Sequence, residues 1–195
     1  MPHKKWFENW FDSPYYHILY QNRNDDEARF FIDNLCAYLK PSLNDTLLDV
    51  ACGRGRHAIY LNKKGYDVTG IDLSSSSIAF AQQFKNKRLH FQVHDMRHIF
   101  QANSFDIALN LFTSFGYFEN DDDHLKTLIA IKESLTEYGF GVIDFMNVNN
   151  VVANLVPEET KTVDNIDFHI KRYHIDGYIY KEIDFDDDGQ KFHFT

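Results

Sequence analysis

The order of apolar runs, turns and helical stretches predicts an α/β fold, with a doubly wound, mostly parallel sheet followed by an antiparallel meander. Three observations carry this. Between Thr46 and Phe145, short apolar runs alternate with helical stretches at the spacing of βα units. The first run ends in a glycine-rich turn, Ala51-Cys52-Gly53-Arg54-Gly55, that opens a helix. After about residue 148 come aromatic and β-branched runs separated by Asp176-Gly177 and Asp188-Gly189, a hairpin signal.

In chain order, residues 5–20 carry Trp6, Phe7, Trp10, Phe11, Tyr15, Tyr16, Ile18, Leu19 and Tyr20, interrupted by Pro14. They read as one or two short amphipathic helices with an aromatic face. A helix is expected over 25–39, with Phe30, Phe31, Leu35, Tyr38 and Leu39 near helical spacing. Asp25, Asp26 and Glu27 suit the positive end of its dipole, and Pro41 marks its end. Thr46–Val50 reads as a buried strand, and His57–Lys64 as a helix stopped by Gly65. Strands follow at Asp67–Asp72, Leu89–Val93, Phe105–Leu111 and Phe140–Phe145. Helices are expected at Ser75–Phe84 and Asp121–Thr136, the latter burying Leu125, Leu128, Ile129, Ile131 and Leu135. Ile166–Ile175, Tyr178–Phe185 and Lys191–Phe194 form the meander.

The 195 residues fit one domain, or one with a small appendage, and a hydrophobic share of 44% supports a packed core. The net charge of −9 repels phosphate backbones on average and disfavours a nucleic-acid substrate. No apolar run is long enough to span a membrane, and the N-terminus lacks the apolar stretch of a secretory signal. Cys36 and Cys52 cannot build a disulfide framework, so a reducing, cytoplasmic setting is the simpler reading. No metal site is expected, since His94 and His98 alone give only an i, i+4 pair. Asp121–Asp123 and Asp186–Asp188 read as a helix start and a solvated turn.

A strand, a glycine turn and a helix make a cradle for a ligand, because glycine admits close backbone approach and the helix start offers free N–H groups. Arg56-His57 does not supply the Gly-Lys-Ser/Thr of a phosphate-binding loop. Gly53, Gly55 and Ala58 satisfy a tolerant version of the dinucleotide fingerprint. A nicotinamide cofactor therefore stays open on the glycines alone.

With Asp49 ahead of Ala51, Gly53 and Gly55, the loop resembles the first motif of class I S-adenosylmethionine-dependent methyltransferases of the small-molecule type, with Ala51 where glycine is usual. Three further segments resemble that family in the same order: Gly70-Ile71-Asp72-Leu73-Ser74, His94-Asp95-Met96, and Asn110-Leu111-Phe112-Thr113-Ser114-Phe115-Gly116-Tyr117. The resemblance covers roughly residues 45–147. It implies a Rossmann-like domain over 41–147 that binds S-adenosylmethionine through Asp49, Ala51, Cys52, Gly53, Gly55, Asp72, Leu73, Asp95, Met96, Asn110 and Leu111. Asp72 would accept from the ribose hydroxyls, and Asp95 from the adenine amine. Residues 1–40 would form a helical lid. Tyr16, His17, Phe112, Phe115 and Tyr117 are the candidates for the pocket of a small-molecule methyl acceptor. No catalytic residue is assigned. The plainer readings make the loop a structural turn, Asp72 and Asp95 helix caps, and Cys52 a small loop residue.

The family sheet has seven strands, the last two forming an antiparallel edge. This sequence gives five and then the meander of 148–195, so the family's final strands are expected to be absent, as in a truncated or naturally short form. The open edge beside the fifth strand would be covered by the meander or by a second copy in a homodimer. Three functions remain at this point: a small-molecule methyltransferase, an S-adenosylmethionine-binding module without turnover, and a nicotinamide-dependent oxidoreductase.

Overall fold

The structure, a computed structural model, describes residues 6–21 and 25–195, with side chains from Asn9 and from Asp26 onward in the two stretches. Expectations resting on residues 1–5, or on the side chains of Trp6, Phe7 and Asp25, lie outside the described residues. The chain forms two compact units. One joins the residues before position 22 to Met146–Thr195, and the other runs on to Phe145.

The larger unit is a five-stranded parallel sheet. Its strands are β1 (Thr46–Val50), β2 (Asp67–Asp72), β3 (Leu89–Val93), β4 (Phe105–Asn110) and β5 (Leu135–Ile143), in the order β3-β2-β1-β4-β5. Chain order reverses between β1 and β4, so a crevice opens at their carboxyl ends, where open α/β sheets take ligands. The central strands are buried on both faces, as their continuous apolar sequence requires. Leu47, Ile107 and Leu109 pack with Ala58, Leu61 and Ile32 on one face. Leu48, Val50 and Ala108 pack with Ile71, Phe105 and Ile131 on the other.

The helices are α3 (Asp25–Leu39), α4 (Arg56–Lys63), α5 (Ser75–Ala81) and α6 (Asp121–Ser134); two short ones, α1 (Trp6–Phe11) and α2 (Pro14–Leu19), precede them. Two helix faces differ from expectation. In α3, Ala28 and Ile32 are buried with Phe31 and Leu35 partly so, whereas Phe30 and Tyr38 are exposed. Positions 28, 31, 32 and 35 make a cleaner helical stripe than the larger rings did. In α6 the buried face is Asp123, Thr127, Ala130, Ile131 and Ser134, while Leu125, Leu128 and Ile129 face outward. Small residues can line the sheet side because the hydroxyls satisfy themselves: Thr127 Oγ1 donates to Asp123 O and Ser134 Oγ to Ala130 O. Leu135 starts β5 instead of ending the helix, and β5 begins five residues before the expected Phe140.

In the smaller unit, α7 (Val148–Ala153) and β6 (Glu158–Val163) were not foreseen. With β7 (Ile166–Ile175), β8 (Tyr178–Asp187) and β9 (Gln190–Phe194), β6 makes a separate antiparallel sheet in sequential order. Asp176 and Gly177 both have positive φ in the β7–β8 turn, as a two-residue hairpin turn demands. One sheet face buries Ile166, Phe168, Ile170, Ile183 and Phe185 with Trp10 and Leu19. Ser13 caps α2 and Pro14 is its first helical residue, so the proline starts a helix there. Among the described residues the meander does not pair with β5, and no helix is long and apolar enough to cross a membrane.

Candidate active site

The glycine loop lies between β1 and α4, and each of its residues is fixed differently. Ala51 has φ 60, the left-handed region, where a Cβ is strained by about 1 kcal/mol. Gly53, at φ +56, has open space where a Cβ would stand. Gly55, at φ +80, does not: its Cβ would meet Phe91 Cε1 at 2.6 Å. Gly53 is therefore the glycine that leaves room for a ligand, and Gly55 the one that lets α4 approach β3. Gly70 serves packing as well, since a Cβ there would meet Phe91 Cδ1 at 2.7 Å and Cys52 Sγ at 2.8 Å. Cys52 is buried, and burial pushes its thiol up, leaving no stabilised thiolate.

Asp72 ends β2 and ties the loop down. Its Oδ2 accepts from Gly53 N at 2.8 Å, and its Oδ1 from Ser74 N at 2.8 Å. The cap of α5 is Ser74, whose Oγ accepts from Ser77 N at 3.1 Å, so Asp72 is not a helix cap. Leu73 beside it is exposed.

Asp49, in the middle of this assembly, is 1% exposed. Burial pushes its carboxyl up to about 7; the Ala58 N–H opposes this, the Asp72 charge adds to it, and Arg56 opposes it. Among the described residues Asp49 Oδ2 has no hydrogen-bond partner, and neither has Asn110 Oδ1 at the end of β4. Asn110 Nδ2 donates to Val50 O at 3.1 Å, which fastens β4 to β1 at the crevice. Leu111 is buried in the adjacent core.

Phe112 and Thr113 both have φ 57. This turn is held by Asp144, whose Oδ2 accepts from Phe112 N at 2.9 Å and whose N–H donates to Asn110 O at 2.9 Å. The Phe112 ring lies 4.7 Å from the His57 ring and 5.5 Å from Phe31, with the Arg56 guanidinium 4.7 Å from its centroid. His57 is buried, and burial followed by the Arg56 charge lowers it to about 3. Among the described residues its Nε2 likewise has no hydrogen-bond partner. Farther along, Phe115 packs 5.3 Å from His124, and Tyr117 is half-buried.

The segment after β3 is built around an ion pair. Arg97 donates from Nε and its backbone N to Asp95 Oδ1 at 3.0 Å, from NH2 to Asp95 Oδ2, and from NH1 to Asp123 Oδ2 at 2.8 Å. Burial pushes Asp95 up, but the Arg97 hydrogen bonds outweigh it and hold the carboxyl below its ordinary value. Met96 packs against the Leu48, Val50 and Ile71 face of the sheet. His94 Nε2 bonds the His98 carbonyl at 2.9 Å, and no cluster of three or more metal-ligating side chains occurs among the described residues.

The structure thus gathers Asp49, Ala51, Cys52, Gly53, Gly55, Asp72, Asn110, Leu111 and Phe112 round the carboxyl ends of β1, β2 and β4. Tyr16 and His17 belong to the other compact unit, where Tyr16 packs against Trp10, Phe11 and Tyr20. Sequence reasoning missed His57, Arg97 and Asp144. In the sequence Arg56-His57 shows only the lack of a phosphate-loop pattern and the start of a helix, and nothing local marks a carboxylate that braces a turn 32 residues away.

Comparison with known proteins agrees with this geometry. Residues 47–139 match the model of a methyltransferase domain. The chain is 32% identical over 117 residues to the putative methyltransferase YqeM of Bacillus subtilis, covering 58% of this chain and 47% of that protein. It is 30% identical over 141 residues to a glycine/sarcosine N-methyltransferase of Halorhodospira halochloris, covering 69% and 51%. The chain spans about half the length of these relatives. Among solved structures, a S-adenosylmethionine-dependent methyltransferase from Clostridium acetobutylicum superposes with TM-score 0.71 at 20% identity, covering 92% of this chain and 76% of that one. The SAM-bound CalS10, an amino pentose methyltransferase from Micromonospora echinaspora, gives 0.70 at 21%, covering 93% and 80%. By sequence match residues 47–139 are similar to a methyltransferase domain, and the α/β unit has the fold of the class I S-adenosylmethionine-dependent methyltransferases.

Proposed function

We propose that the protein transfers the methyl group of S-adenosylmethionine to a small molecule, with the cofactor lying across the β1–β4 crevice. The observation that carries this is Gly53. Its positive φ and open Cβ side leave the backbone bare beside Asp72, the one loop-facing carboxylate at the end of β2. Asp72 takes the ribose hydroxyls beside the contacts it makes to Gly53 and Ser74. Asp95, kept ionised by Arg97, accepts from the adenine amine. Leu73, Met96 and Leu111 supply apolar surface near the nucleoside. Ala51, Cys52 and Gly55 shape the loop, and Asn110 closes the crevice at β4.

The bound cofactor supplies an electrophilic methyl on a sulfonium. The chain's own residues then align donor and acceptor and keep water out, which is where most of the rate comes from in such transfers. Phe112, Phe115 and Tyr117 line the acceptor side, and ring faces stabilise a neighbouring cation. Because the relatives include a glycine/sarcosine N-methyltransferase and an amino pentose methyltransferase, small amines head the acceptor screen.

A thermal-shift panel with S-adenosylmethionine, S-adenosylhomocysteine and NAD tests the reading. A ligand at about 100 times its Kd adds roughly 2.7 kcal/mol of stability. Both adenosyl compounds should shift the melting point, and a shift with NAD alone overturns the proposal. Transfer of labelled methyl to an amine panel then separates an enzyme from a binding module without turnover.

A further inference from the structure

The smaller unit has a concave site of its own. Between α7, residues 154–156 and the neighbouring ends of β6 and β7 lies an open cavity of about 370 Å³. Small-molecule sites span roughly 300–1,000 Å³. Every residue lining the cavity belongs to this unit, so the site does not rest on the cofactor crevice. The lining divides by chemistry. Val151, Leu155 and Val156 give an apolar wall. Asn150 and Asn154 give a polar rim, where Asn154 Nδ2 donates to Asn150 Oδ1 at 3.0 Å and leaves the Asn150 amide N–H groups to a ligand. Arg172 and Glu159 give a charged end.

Alternation along β7 turns Arg172 to the same face as the buried Ile166, Phe168 and Ile170, where the apolar stripe ends. Its guanidinium is held in place. Nη1 donates to Val156 O at 3.4 Å, Nη2 to Glu159 Oε1, and the backbone N–H to Pro157 O at 2.7 Å. The two side-chain contacts leave further N–H donors of the fork for a ligand. Charge then selects the ligand. Lys161 Nζ stands 3.7 Å from Glu159 Oε1, and Lys181 faces Arg172 across the β7–β8 ladder. The Arg172 hydrogen bond first, and the Arg172, Lys161 and Lys181 charges after it, hold the Glu159 carboxyl below its ordinary value against burial. Three cations therefore surround one carboxylate, on a chain whose net charge is −9. A concave site with surplus positive charge gathers anions, and a fixed guanidinium pairs with their oxygens.

We propose that this cavity binds a small organic anion, a carboxylate or phosphate ester whose oxygens meet Arg172 and the Asn150 amide while its apolar body lies on Val151, Leu155 and Val156. The test is an NMR titration of the full nitrogen-labelled chain, with benzoate and phenyl phosphate as probes and benzyl alcohol as the neutral control. The anions should move the Arg172 Nε–H and Asn150 side-chain signals saturably, and the tighter of the two names the oxyanion. Benzyl alcohol should bind at least about tenfold more weakly. Arg172→Gln should weaken the tighter anion about tenfold, the scale of a hydrogen bond to a charged group. Lys161→Gln, which removes an exposed charge, should weaken it about twofold. Val151→Trp fills the cavity from α7 without changing its charge and should remove the saturable shift. No saturable shift with either anion, equal binding of benzyl alcohol, shifts spread over lysines away from the cavity, or unchanged affinity in Arg172→Gln overturns the proposal. If Arg172→Gln does not fold, undiminished affinity in Val151→Trp overturns it instead.

Discussion

The burial of Asp49 makes cofactor binding depend on pH in a way that can be worked out in advance. Without ligand its carboxyl is pushed up to about 7, because it is 1% exposed and only the Ala58 N–H and the Arg56 charge favour the ion. In the proposed complex the cofactor brings a positively charged group near Asp49 and favours its ionised form, so binding drives a proton off. The sign follows: below the apo value a growing share of the protein must first lose that proton, and affinity falls as pH falls. For an apo value near 7 the weakening factor is about 1 + 10^(7 − pH), roughly 11 at pH 6 and roughly 1.3 at pH 7.5. The Kd for S-adenosylhomocysteine should therefore rise about eightfold from pH 7.5 to pH 6, equivalent to about 1.2 kcal/mol. His57, near 3, does not titrate in this window. Calorimetry across the range, repeated in buffers of different ionisation enthalpy, reads both the affinity and the released proton. Asp49→Asn should flatten the profile. A flat wild-type profile, or the same slope in Asp49→Asn, would refute the reasoning. The ligand-free protein carries the opposite linkage. Its raised Asp49 favours folding fully below the unfolded value near 4, and that contribution is lost as pH rises through about 7. Ligand-induced thermal shifts should accordingly be larger at pH 7.5 than at pH 6.

Other substitutions give equally direct outcomes. Ala51→Gly removes a Cβ from a left-handed backbone and should raise the unfolding free energy by up to about 1 kcal/mol in urea titrations; a loss of stability would contradict the strain argument. Gly55→Ala drives a methyl into Phe91 at positive φ and should destabilise by about 2 kcal/mol or more, whereas adding Phe91→Leu should recover part of it in a double-mutant cycle. Arg97→Met leaves Asp95 and Asp123 without their shared cation and should cost about 3 kcal/mol, with the deficit shrinking at low pH as the carboxylates protonate. A pH-independent deficit would mean that Arg97 acts through its packing on Phe118.

Where sequence and structure part company, the cause is a choice between competing faces. Helix α6 carries two stripes at helical spacing, one apolar and one small and polar. Hydrophobicity favoured Leu125, Leu128 and Ile129, yet the sheet takes Thr127, Ala130 and Ser134, because self-bonded hydroxyls are harmless in a core and small side chains let the helix come close. The same happened in α3, where Ala28 and Ile32 outranked Phe30 and Tyr38. Asp144 braces the Phe112 turn from the far end of β5, a contact that spacing along the chain cannot suggest.

What the sequence determined by itself is the order of elements and the loop on which the site is built. Strand runs, glycine positions and Asp49 and Asp72 are local signals, since turn geometry and strand ends depend on near neighbours. Tertiary structure alone decided what each of those residues does. It separated Gly53, open to a ligand, from Gly55, filled by Phe91 from another strand. It also buried Asp49, Asn110 and His57 with one atom each unmatched among the described residues. Burial and hydrogen-bond satisfaction are properties of the packed neighbourhood, assembled from segments dozens of residues apart, and no single stretch of chain encodes them.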